Sequence, residues 1–140
     1  MRPAAPLSGA AISESLNILL AKLPTVSGEL NDPHEFTGDM TVLRSITDLG
    51  DSAVARLVDC LDRTTPSAVT YKGRQVSVGL LCYVVLDRTA YYEAYDERPD
   101  DSHRYDAWPG SVTYSATPEQ LRQAKRAWKD VVRRRVYHLT

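Results

Sequence analysis

Six carboxylates crowd one short stretch: Glu93, Asp96, Glu97, Asp100, Asp101 and Asp106. Two carboxyls held at a set separation are the machinery of glycoside hydrolysis, one as acid and the other as base or nucleophile. That division of labour needs one of the pair in an apolar pocket, where it keeps its proton near neutral pH. Arg98, His103 and Arg104 interrupt the run, so the charges read as a solvated, partly self-neutralised loop. The residue order of an EF-hand, with its Gly and terminal Glu, is missing. The sequence therefore asks for no metal and no cofactor.

Nucleophilic catalysis fares no better. His34, His103 and His138 are scattered along the chain, and no GxSxG occurs. Cys82 lies within LLCYVVL, where burial raises a thiol's pKa and makes it inert. Neither Cys60 nor Cys82 belongs to a CxxC pair, which removes zinc-ribbon and thioredoxin-like chemistry. Two states stay open for them: a pair of buried thiols in a reducing compartment, or one disulfide between two apolar helices. Phosphate cradling is absent, with neither GxGxxG nor a P-loop pattern.

These residues need elements to hold them. A first helix is expected from Ala10 to Leu23, with Ile12, Leu16, Leu19, Leu20 and Leu23 at the helical period and Pro24 ending it. TVSGELN reads as a connection. NDPHE then has the form of a helix start, with Asp32 as cap, Pro33 in the first position and Glu35 reaching back. The second helix would bury Phe36, Met40, Leu43 and Ile46 and stop at Gly50. Asp51 would cap a third, with Val54, Leu57, Val58 and Leu61 inward. Val69 and Tyr71, then Val76 and Val78, flank Lys72-Gly73 as a short β-hairpin near residues 69–78.

A fourth helix, capped by Ser77, is apolar on every side from Leu80 to Leu86 and should be the buried centre. It continues through Tyr91, Tyr92 and Tyr95. Residues 96–116 form a long irregular loop, for which Tyr105, Trp108 and Tyr114 are candidate anchors. Thr117-Pro118-Glu119-Gln120 is a capping box opening the last helix. Its inner stripe is Leu121, Ala124, Trp128, Val131, Val132 and Val136. Arg122, Lys125, Arg126, Lys129 and Arg133 lie opposite.

The stretch LRSITDLGDSAVARLVDCL, residues 43–61, resembles one HEAT-type repeat, two antiparallel helices joined at LG-D. The resemblance implies a scaffold whose missing neighbour is supplied by homo-oligomerisation, because such repeats bury their faces on one another. The expected fold class is mainly α: about five helices in a compact HEAT-like or bundle arrangement with one hairpin. Residues 1–140 read as a single domain, with 1–9 flexible.

With 17 basic and 18 acidic residues the net charge is −1, which gives no general pull toward nucleic acid or an anionic membrane. The basic face of the last helix is explained as well by packing beside the acidic loop. No apolar run reaches the length of a membrane span. Ser13, Glu14, Ser15 and Asn17 break the N-terminal apolar run, so the chain as written reads as cytoplasmic, and as periplasmic if an export signal once preceded it.

What remains is protein–protein recognition. The expectation is a non-catalytic binding module, of the kind represented by a bacterial immunity protein that occludes the active site of a secreted toxin. Asp96, Glu97, Asp100, Asp101, Tyr105, Asp106 and Trp108 would meet the partner's basic cleft. The competing readings are a carboxylate-dependent hydrolase using the same loop and the HEAT-like scaffold.

Overall fold

The computed structural model describes residues 9–32, 35–92 and 108–140. In chain order it contains α1 (Gly9–Lys22), a 3-10 turn (Leu23–Thr25), β1 (Ser27–Asn31), β2 (Glu35–Gly38), α2 (Thr41–Thr47) and α3 (Asp51–Cys60). Then come β3 (Pro66–Tyr71), β4 (Arg74–Ser77), α4 (Val78–Thr89), β5 (Ala90–Tyr91), α5 (Pro118–Arg134) and β6 (His138–Leu139). The expectation of a mainly α fold with a single hairpin is overturned. The described residues are 55% helical and 20% strand, and a four-stranded mixed sheet of order β2-β1-β3-β4 makes this an α+β fold.

The correction has a local cause. TVSGELN supplies β1, and the NDPHE signature does not start a helix, because Glu35–Gly38 pairs antiparallel with β1. The helix begins only at Thr41, where the Asp39 carboxylate accepts from the Thr41 N–H at 2.9 Å. β1 also pairs parallel with β3, Ser27 opposite Ala68. Parallel neighbours need a long crossover, and β2, α2 and α3 lie within it. The pair α2–α3 is therefore a crossover inside an α+β domain, and the HEAT-like arrangement is not formed. Gly50 precedes α3 with φ of 59°, the left-handed region, while Asp51 is the first residue of α3 rather than its cap.

Glycine and an aromatic ring explain how weak strand formers make β1 and β2. Gly28 stands opposite Gly38, and the Phe36 ring lies where a Cβ on Gly28 would be, 2.5 Å from that position. A ring laid over a glycine pair restores the apolar cover that glycine lacks. The β3–β4 hairpin forms as expected. Lys72 and Gly73 both have positive φ, 51° and 79°, as a two-residue turn matched to strand twist requires.

α4 is the hub. Every residue from Val78 to Leu86 is buried, and α2, α3, β3, β4 and the 3-10 turn all pack on it. Ser77 caps it, its hydroxyl accepting from the Leu80 N–H at 3.1 Å. The helix stops at Thr89, earlier than expected. Ala90 and Tyr91 pair with β6 as a two-stranded sheet. Gly79 allows the start of α4 to touch the end of α3: a Cβ there would stand 2.3 Å from the Leu61 carbonyl oxygen.

Candidate functional site

The acidic segment is closed at its base. Tyr92 and Trp108 bound residues 93–107, and their ring centroids are 4.9 Å apart. Trp108 in turn meets the buried Trp128 edge-on at 5.3 Å. The Trp128 Nε1–H donates to the Gly110 carbonyl at 3.0 Å. Gly110 is required there, since a Cβ would fall 2.4 Å from the Trp108 ring. The Tyr92 hydroxyl, ahead of the Asp130 charge, raises the pKa of the Arg134 guanidinium. Trp108 is thus held to α5 by its contact with Trp128, and Tyr92 is held in turn by its contact with Trp108.

The candidate residues distribute unevenly. Asp96, Glu97, Asp100, Asp101, Tyr105 and Asp106 lie outside the described residues, as do His34 and His103. Trp108 is half-buried in the aromatic clamp. His138 stacks on Tyr91 with centroids 5.3 Å apart. Cys60 and Cys82 join α3 to α4 through a disulfide, their Cα atoms 5.9 Å apart, and so provide no free thiol.

From the clamp, residues 108–117 run as a strap toward the hairpin. The Val112 N–H donates to the Tyr83 hydroxyl at 3.3 Å. The Tyr114 ring meets the Tyr71 ring edge-on at 5.4 Å. The strap ends at Thr117, whose hydroxyl accepts from the Gln120 N–H at 3.1 Å while the Gln120 side chain accepts from the Thr117 N–H at 2.8 Å. This reciprocal box fixes where α5 begins.

Between hairpin, strap and α5 lies a cleft of about 460 Å³. Val76, Leu80 and Leu121 give it an apolar lining, and Tyr71 and Tyr114 stand in its wall. The Tyr71 hydroxyl donates to Asp32 at 2.7 Å, which pushes the phenol's pKa up. Lys72 lies 3.8 Å from the same carboxylate. Asp62 is held by Lys125 at 3.0 Å. Arg63 and Arg74 also line the cleft, and sequence reasoning missed both. Only the hairpin tip was legible, because the other walls come from segments distant in the chain.

The basic stripe of α5 is internally matched. Lys125 and Lys129 meet Asp62 and Asp59, and Arg135 meets Asp51. Arg122 and Arg126 share Glu119, while Arg133 and Arg134 share Asp130. Bonds from Arg122 and Arg133 hold the Glu119 and Asp130 carboxyls below their ordinary range. Most of these carboxylates lie on α3 and α5 themselves, so the acidic segment is not needed to balance the stripe.

Tyr83 offers a titration with a defined sign. Burial, then the Asp87 charge, pushes its phenol above the ordinary value. A raised folded pKa means stability that is full below the unfolded value, about 10, and is lost as pH rises through the folded one. Tyr83→Phe is expected to flatten the alkaline fall of stability above about pH 10. At neutral pH it should cost about 1 kcal/mol, through the lost Val112 bond. Urea titrations from neutral pH upward measure both effects.

Compared with protein families, curated proteins and solved structures, the chain matches none.

Proposed function

We propose that this protein is a non-catalytic protein-binding module that neutralises a toxin-like partner, as an immunity protein does. The observation that carries the reading is the acidic segment closed at its base by Tyr92, Trp108 and Trp128. Residues 93–107 bear six carboxylates against two arginines, a charge suited to steering toward a basic cleft. The carboxylates around Asp100 and Asp101 occupy that cleft and exclude its substrate. With both cysteines in a disulfide, an oxidising compartment such as the periplasm suits the protein better than the cytoplasm.

The test uses the purified chain and the product of the adjacent gene, where that gene encodes a larger protein with a toxin-like C-terminal domain. A one-to-one complex and suppression of the partner's activity are expected. Asp100→Asn combined with Asp101→Asn should weaken the complex about tenfold at low salt, with the gap closing as salt rises. Turnover of a substrate by the purified chain alone, lost when these carboxylates are removed, would overturn the reading in favour of a hydrolase.

A further inference from the structure

All four residues of β4, Arg74 to Ser77, line the cleft. Successive strand residues face opposite sides of a sheet, so a cavity that touches four in a row runs along the strand's edge. The sheet order agrees: among the described residues β4 is terminal, with β3 as its only strand neighbour. One side of its backbone therefore has no strand partner, which is a template for another extended chain. The opposite wall is the strap at Tyr114–Ala116 and the start of α5 at Pro118 and Leu121.

Charge indicates what fits. Four cations stand at or beside the cleft. Lys72 and Lys125 have carboxylate partners in Asp32 and Asp62. Arg63 and Arg74 are exposed and form no ion pair among the described residues. Arg74 and Val76, two apart on β4, share one face of the sheet, so guanidinium and apolar trough together suit an occupant that carries acidic and apolar side chains on the same face. A helix has its backbone N–H and C=O groups engaged in its own ladder, so it offers none to the β4 edge.

We infer that the cleft takes an extended acidic segment of a partner protein, which adds to β4 as a further strand. Backbone hydrogen bonds to β4 supply the affinity, as in other strand-addition complexes. Apolar side chains fall toward Val76, Leu80 and Leu121, and carboxylates reach Arg63 and Arg74. The inference rests on the reading of the chain as a protein-binding module and assigns it a second contact, opposite in charge to the acidic segment.

The probe is a blocked eight-residue peptide of repeating Val-Val-Asp-Asp, which places both residue types on each face of a strand, added to the full isotope-labelled chain with the disulfide intact. Amide shifts and slowed amide exchange are expected at residues 74–77. The valine–lysine counterpart should bind at least tenfold more weakly. An acidic peptide N-methylated at every residue should not bind, since neither of its edges can donate to β4. Arg63→Glu combined with Arg74→Glu should reduce binding tenfold or more.

Equal binding by the lysine or methylated peptide, or shifts that spare residues 74–77, overturns the inference whether or not the double variant folds. A cognate complex that leaves residues 74–77 unprotected, with the acidic peptide inert, sinks the strand addition and leaves the protein-binding reading standing. Turnover by the purified chain sinks that reading without touching the peptide result.

Discussion

Reducing the Cys60–Cys82 bond, or replacing both residues in Cys60→Ala/Cys82→Ala, is expected to cost about 3 kcal/mol. The bond spans 22 positions, and closing a loop of that size removes conformational freedom mainly from the unfolded chain. For 140 residues this corresponds to a fall of about 10 °C in the melting midpoint. Because the effect acts on the unfolded state, the urea m-value should rise on reduction, as a released chain exposes more surface. Equilibrium urea unfolding with and without reductant reads both quantities. An unchanged m-value with the full loss would place the effect in native packing instead. Cys82 is fully buried and Cys60 is 5% exposed, so native protein should be reduced slowly, through an opening of α3 from α4.

The helices carrying those cysteines were legible because their signals are local. VGLLCYVVL is apolar all round, which only a buried central helix tolerates. Thr117, Pro118 and Gln120 announce α5 within four residues, and the structure contains that box. The Lys72-Gly73 turn likewise declares the hairpin. What local signals left open was whether two apolar helices bring their thiols together, since that depends on how α3 packs on α4.

The sheet was illegible for a related reason. β1 is SGELN, a string poor in strand formers. It is extended because β3, about forty residues later in the parallel register, supplies its ladder. Pairing with distant chain outweighs propensity. Asp32 and Glu35 suggest a helix start because caps and turns draw on the same residue types. Here Asp32 instead accepts from Tyr71, on the neighbouring β3. The acidic segment was visible from composition and Trp108 from the need for an anchor. The cleft had no signature, since Arg63, Arg74 and Tyr114 belong to three separate segments that converge only in the fold.

Trp128→Ala is expected to be the most damaging single change, at about 3–5 kcal/mol. The side chain is 3% exposed and does three jobs at once. It fills the core face of α5, supports Trp108 edge-on, and donates to the Gly110 carbonyl. Alanine leaves a cavity and an acceptor without its donor, two costs of different origin. Trp128→Phe separates them: the ring remains, and the loss should fall to roughly 1–2 kcal/mol, most of it the hydrogen bond and the smaller ring. Urea unfolding followed by far-UV circular dichroism measures both variants without relying on tryptophan emission. In Trp128→Phe the near-UV signal of the Trp108–Trp128 pair should collapse while helix content holds. If the acidic segment acts through its closed base, this folded variant should also bind the cognate partner more weakly than wild type, with a faster off-rate and a similar salt dependence. Unchanged affinity would mean that the carboxylates act without the clamp, as a charged tether.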